Sequence, residues 1–470
     1  MRTDDMCFLS IAQLAEELRK GTVSPVEVTQ AYLDRIHSLN AKLNSYLTVT
    51  GERALQEAKA AEAAMRQGRY LGPLHGVPLA HKDIVATNGI ATTCASKVLK
   101  DNVPNHDAAT IERLTTAGSV LLGKLNMNEF ATISPSTYFG RVNNPWALER
   151  NPGGSSSGSG AAVAAGLCAG SLGTDTGGSI RIPAAFCGIV GLKATHGRVS
   201  LYGVIPLAWS LDHIGPMTRT VKDAAFMLQA VAGHDPRDFG SSEAPVSDYT
   251  AKLTGDIAGL TLGIPTRFFP EYTDPEVKAA FDTAVQTLAD LGAHIEEVAL
   301  PPLDDAWTRI ALPILNGEAN AWHAPYLSRQ AEDYGPTVRK FLERGKGTLA
   351  TDYINAQHAK AQFRRDMLTA CAKVDVLLTP GELVPPPPHD ARSVTINGKE
   401  VSLMAALISA TCPFNLTGQP ALTVPCGFSA SGLPLALQIV GKPFDEATVL
   451  QVGHAYETHT SWHERRPSLS

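Results

Sequence analysis

Three short segments carry residues whose types and spacing could do chemistry. Leu79-Ala80-His81-Lys82-Asp83 sets a lysine after an apolar stretch. Pro152-Gly153-Gly154-Ser155-Ser156-Ser157-Gly158-Ser159-Gly160 is a glycine–serine loop, and Gly173-Thr174-Asp175-Thr176-Gly177-Gly178-Ser179-Ile180-Arg181 places a serine after two glycines. Glycine allows positive φ and close backbone approach, while serine hydroxyls can accept, donate and relay a proton. Residues 180–186 read as the start of a helix with Pro183 in its first turn. A helix N-terminus offers free N–H groups and a positive dipole end, which suit a developing oxyanion. Each segment alone also has a plainer reading: a flexible loop, a helix cap, or a solvated Lys82–Asp83 pair.

Two sharper alternatives fail on context. Gly154-Ser155-Ser156-Ser157-Gly158 fits the G-x-S-x-G elbow, which would make Ser156 a nucleophile served by a histidine, but an apolar strand must precede an elbow. Leu148-Glu149-Arg150-Asn151-Pro152 is not such a strand. A phosphate-binding loop needs a Gly-Lys-Ser/Thr ending that neither glycine-rich segment has. None of the 14 histidines falls in an H-E-x-x-H pattern, and His454 with Glu457 reads as surface rather than as a ligand pair. No metal and no organic cofactor is expected. No cysteine sits in a motif that marks a nucleophile, although Cys187 lies near the third segment.

Elements must hold these segments in place. Ser10 caps a helix ending near Gly21, Ser24-Pro25 with Glu27 opens a second with a capping box, and an Ala-rich third spans 52–67. Thereafter short apolar runs at 119–123, 259–264, 295–300, 374–378, 421–424 and 435–440 alternate with helical patterns. Asp274 and Pro275 start one such helix. This spacing predicts an α/β sheet covered by helices. The 470 residues are expected to form one domain, 1–470, with a helical N-terminal part at 1–70 and an irregular part at 235–410 that shapes the pocket. Apolar residues at 44%, charged residues at 18% and a net charge of −6 fit a globular chain without a basic surface for nucleic acid or anionic lipid. The polar start, Met1 to Asp5, lacks a signal peptide's apolar core, and no run is long enough to span a bilayer. Seven scattered cysteines without a Cys-x-x-Cys pair suggest buried thiols and a cytoplasmic protein.

Taken together and in order, the three segments resemble the amidase signature family. The resemblance runs almost continuously over 153–186 and extends through 191–199 and 211–217. It reaches back to 76–83 and 126–130, and forward to 415–427 and 444–447. It implies a central mixed β-sheet sandwiched between helical layers, and a Ser–Ser–Lys triad in which one serine follows a cis peptide bond. The matching residues are Lys82, Ser155 and Ser179; the 24-residue interval from Ser155 to Ser179 selects Ser155 over Ser156. By this resemblance Ser179 attacks, Ser155 relays the proton to an uncharged Lys82, and the N–H groups of Thr176, Gly177, Gly178 and Ser179 form an oxyanion hole. Ser156, Asp175 and Arg181 support the loop.

Three positions depart from the commoner pattern. Ser157 replaces a glycine, His81 precedes the lysine where aliphatic residues are usual, and 129–140 is short and contains Pro135. Pocket walls are expected from 132–139, with Thr132, Ile133, Ser134, Tyr138 and Phe139, from 202–209, with Trp209, and from 307–322. The reading is a stand-alone amidase, monomeric or homodimeric, acting on a small-molecule amide and extending to carbamates, anilides or esters. The alternative is the amidase (glutaminase) subunit of a tRNA-dependent amidotransferase, disfavoured by the look of 342–345 and 352–357. A non-catalytic binding module on the same scaffold ranks last, since Lys82, Ser155 and Ser179 are all present.

Overall fold

The computed structural model describes residues 3–469; Met1 and Arg2 of the polar start lie outside the described residues. Thirteen strands are described: β1 (Tyr46–Val49), β2 (Pro78–Lys82), β3 (Val120–Leu125), β4 (Gly170–Asp175), β5 (Val190–Lys193), β6 (His213–Thr218), β7 (Thr261–Pro265), β8 (His294–Val298), β9 (Val376–Pro380), β10 (Ser393–Ile396), β11 (Lys399–Ser402), β12 (Ala421–Phe428) and β13 (Pro434–Gly441). Eleven of these form one sheet in the order β1-β3-β2-β4-β6-β5-β12-β13-β9-β7-β8, while β10 and β11 make a separate hairpin. The sheet is mixed: β2 runs parallel to both β3 and β4, whereas β4 and β6 are antiparallel.

Helices cover both faces. Helix Arg181–Cys187 lies on the face that carries Gln438, and helix Glu446–Thr458 packs across Leu422 on the other. The amino-terminal helices form where their caps predict. Ser10 and Ser24 each close a reciprocal capping box, and Gly21 ends the first helix at φ 71°. Asp274 caps Pro275–Asp290 by accepting the Glu276 N–H. His454 and Glu457 are a correction: Glu457 is buried and accepts the Val221 N–H at 2.9 Å, tying two helices together rather than facing solvent. No helix among the described residues is long and apolar enough to cross a membrane.

The stretch between β8 and β9 contributes no strand to the sheet. It folds into helices, including Leu312–Gln330, Pro336–Arg344 and Ala350–Ala370, which sit over the carboxyl ends of the central strands.

Candidate active site

Lys82 ends β2, between two parallel neighbours, and is fully buried. Its Nζ lies 2.8 Å from Ser155 Oγ and 2.7 Å from Thr174 Oγ1. Burial lowers its pKa to about 7, against the opposing fields of Asp175 and Asp212. The neighbouring Asp83 does not pair with it. Asp83 accepts from Thr93 N and Oγ1 and faces Lys124 at 3.4 Å, so the two adjacent charges are buried separately and are not a solvated pair. His81 is also buried, where its Nδ1 accepts the Leu172 N–H at 3.2 Å. Burial, then the Lys124 charge, pushes its pKa down to about 3, so the ring is a neutral packed group.

The glycine–serine loop delivers its hydroxyls to different places. The Gly154–Ser155 peptide is cis, and Ser155 lines a cavity shared with Ser179. Ser156 does not reach that cavity: its Oγ donates to Thr174 O at 3.2 Å and accepts Thr174 N–H at 3.3 Å. Its own N–H donates to Ser179 O at 3.2 Å, which ties the two loops together. Ser157 opens the helix Ser157–Ala164.

Asp175, at the end of β4, organises the third segment. Its carboxylate accepts Gly178 N–H at 2.7 Å and Ile180 N–H at 3.1 Å, and Arg181 forks onto it at 3.0 Å through both Nε and Nη2. Burial alone would raise this carboxyl; the Arg181 guanidinium outweighs it and holds the pKa well below the usual range. One expectation is corrected by this contact. The Gly178 N–H is already given to Asp175, so it is not free for an oxyanion, and the cavity is lined instead by Thr176, Gly177 and Ser179. Gly178 has another role: at φ 137°, a Cβ there would lie 2.3 Å from Thr411 Oγ1. Gly178→Ala is expected to lower the urea midpoint by the equivalent of about 1–3 kcal/mol and to cut activity; an unchanged midpoint would contradict this.

Thr174, Asp212, Asn415 and Gln438 were not singled out from sequence. Asp212 accepts from the expected Thr176 Oγ1 at 2.5 Å, and Asn415 Nδ2 donates to Asp175 O at 3.0 Å. Burial raises the Asp212 carboxyl to about 6. Thr174 and Asp212 lay within segments already marked. Gln438 had one signal of its own, an amide in the middle of the apolar run 435–440.

The cavity over Ser155 and Ser179 has a volume of about 240 Å³. Of the expected walls, Thr132 and Ile133 line it, as do Leu207 from 202–209 and Trp307, Leu312 and Leu315 from 307–322, joined by Leu211. Ser134, Tyr138, Phe139 and Trp209 do not. The chain turns sharply at Phe130 and Ala131, both at positive φ, and Ser136 Oγ then accepts the N–H groups of Tyr138 and Phe139; Tyr138 lines a separate surface cleft and Phe139 packs against the core. Trp209 is carried outward by a turn in which Asp212 accepts the Leu207 and Ala208 N–H groups, and it lines another cleft with Tyr202.

Known proteins place this geometry. Residues 27–450 match the family model described as Amidase. The chain is 42% identical to a glutamyl-tRNA(Gln) amidotransferase subunit from Moorella thermoacetica, over 99% of both chains. Among solved structures, it is similar to a chain from "an unexpected vestigial protein complex" that "reveals the evolutionary origins of an s-triazine catabolic enzyme", with a TM-score of 0.92 and 32% identity over 98% of this chain and 100% of that one. It is also similar to the peptide amidase PAM in complex with the competitive inhibitor chymostatin, with a TM-score of 0.87 and 31% identity over 98% of this chain and 99% of that one. A buried lysine in contact with a cavity-lining serine, on a sheet and sequence matched nearly end to end, leads to one conclusion: the chain belongs to the amidase family and is a hydrolase of amide C–N bonds.

Proposed function

We propose that Ser179 is the nucleophile of an acyl-enzyme mechanism, with Ser155 as proton relay and neutral Lys82 as base. The observation that carries this is the contact of the buried Lys82 amine with Ser155 Oγ, in the cavity that Ser179 shares. A serine hydroxyl attacks well only as a base removes its proton. Ser179 Oγ attacks the amide carbon and its proton passes to Ser155, whose own proton passes to Lys82 Nζ. The carbonyl oxygen becomes an oxyanion facing the Thr176, Gly177 and Ser179 backbone. Collapse breaks the C–N bond as the relay returns a proton to the leaving amine. Water then attacks the ester by the same relay, releasing the acid and restoring Ser179. The same nucleophile and oxyanion site suit carbamates and esters.

The walls support a small, largely apolar amide: Trp307, Leu312, Leu315 and Phe341 face the reacting centre. The second reading, the amidase subunit of a tRNA-dependent amidotransferase, is supported by the 42% identity to one such protein, and the sequence relatives weigh toward it more than the sequence alone did. Against it, the cavity lining has no Asp or Glu among the described residues to meet the ammonium of glutamine. The seven cysteines, all buried and free, support the cytoplasmic reading.

A fluorophosphonate probe with peptide mass spectrometry is expected to label Ser179; labelling at Ser156, or at no serine, would overturn the nucleophile assignment. A panel of anilides, aliphatic amides and carbamates, run beside L-glutamine, separates the two substrate readings. Faster turnover of glutamine than of every anilide would favour the amidotransferase reading.

A further inference from the structure

Arg344 bears the one charge among the described residues that line the cavity over Ser179. It ends helix Pro336–Arg344, one turn after Phe341, and its side chain is exposed at the cavity rim. The other ionic groups that line its outer cleft have partners, and so does Glu343 beside it. Arg339 holds Glu343 at 3.1 Å, Arg309 holds Asp305 at 3.1 Å, and Asp352 accepts the Leu349 N–H at 3.3 Å. Among the described residues Arg344 has no such partner. Arg344 also lines a second, open cleft of about 790 Å³. It therefore stands where the apolar cavity opens to water.

We propose, on the Ser179 acyl-enzyme reading, that Arg344 is a specificity-determining residue that binds a carboxylate at the far end of the substrate. The preferred substrates are then short amides with an apolar middle and an anionic terminus. The middle lies against Trp307 and Phe341, and the terminus reaches the guanidinium. A lone guanidinium matches a carboxylate through two parallel N–H donors, whereas phosphate sites gather several cations or backbone amides. At the rim the free arginine keeps its hydration, so pairing costs less desolvation than it would deep inside. An ammonium at the same end meets repulsion from Arg344 and no lining carboxylate, so such amides bind worse.

The test is a ratio of kcat/KM values for matched substrates. In one series the carboxylate is on the acyl side, glutarate mono-p-nitroanilide against valerate p-nitroanilide. In the other it is on the amine side, N-butyryl-4-aminobutanoate against N-butyryl-pentylamine. Wild-type enzyme is expected to prefer the anionic member of at least one series by about tenfold or more, as for a charge-assisted hydrogen-bonded pair. Arg344→Met should bring that ratio to about one, Arg344→Lys should keep part of it, and added salt should lower it in wild type. Arg309→Met, on the outer cleft, should leave the ratio as it is. A wild-type ratio near one in both series, an unchanged ratio in Arg344→Met, or an equal fall in Arg309→Met would overturn the proposal. Ser179→Ala is measured alongside. Turnover that survives in it would overturn the nucleophile assignment, whatever the ratio says about Arg344.

Discussion

Lys82→Met is expected to lower amide turnover by about 10³-fold at neutral pH, the scale of a lost general base, without lowering stability. The two halves of that result have one cause. Lys82 is buried where its amine titrates near pH 7 and not at its ordinary 10.5. Wild-type activity should therefore rise with pH through about 7 as the ammonium gives up its proton, and fall about tenfold per unit below that point. The stability sign follows from the same shift. Between about 7 and 10.5 the unfolded chain holds a proton that the folded chain has released, so this group makes stability rise with pH across that window. Methionine removes the desolvated amine, and the urea midpoint at pH 7 should equal or exceed that of wild type. Lys82→Arg should not rescue, because a guanidinium stays protonated at every working pH. Turnover near wild type in Lys82→Met, or activity flat from pH 5 to 9, would remove the lysine from the mechanism.

Arg181→Met should give the largest loss of stability, about 3–5 kcal/mol, typical of a buried pair broken from one side. Every donor of this guanidinium is used. Nε and one Nη2 bond reach Asp175 at 3.0 Å, the other Nη2 bond reaches Asn415 at 2.7 Å, and Nη1 reaches Thr411 O and Gln438 at 2.8 Å each. Without it, Asp175 is a buried carboxylate stripped of its counter-ion. In wild type its depressed pKa contributes stability above 3.8, lost as pH falls through the folded value. In the variant, burial is opposed only by the Lys193 charge, Asn415 and the Gly178 and Ile180 N–H groups, so that pKa rises and the charged form is less favoured at neutral pH than in wild type. The gap between wild type and variant should therefore narrow as pH falls. Arg181→Met with Asp175→Asn should recover part of the loss. Urea midpoints from pH 7 to 5 check this; a loss under about 1 kcal/mol would mean that the cluster contributes little to holding the loop.

How much of this was legible depended on which side of the sheet one read. On one half of the sheet, strands such as β7, β9 and β13 appear in the sequence as apolar runs with turn residues beyond them. On the other half, β4 and β6 were not readable in that way. β4 is Gly-Ser-Leu-Gly-Thr-Asp, and β6 opens His-Ile-Gly-Pro, because neighbours press closely on them. A Cβ at Gly173 would meet Met217 Sδ at 2.7 Å and Ser156 Oγ at 2.9 Å, and one at Gly215 would meet Leu192 O at 2.1 Å. Such strands trade β-branched side chains for close approach, so they read as loops. The loops of the candidate site stood out through their ordered motifs, and the pocket only in part: 307–322 supplies walls, whereas Ser134, Tyr138, Phe139 and Trp209 do not. Ile133 faces the cavity while Phe139 leaves it because of a backbone reversal at Phe130 and Ala131, which no spacing rule encodes.

The helical stretch between β8 and β9 has an evolutionary corollary. Trp307, Leu312, Leu315, Phe341 and Arg344 all come from it, while Lys82, Ser155 and Ser179 come from the chain before it. A large share of the selectivity is thus encoded in a stretch of the gene apart from the proposed triad, although Thr132, Ile133, Leu207 and Leu211 add walls from elsewhere. A cassette exchanged between the ends of β8 and β9 is expected to shift which molecules are accepted more than the reaction itself.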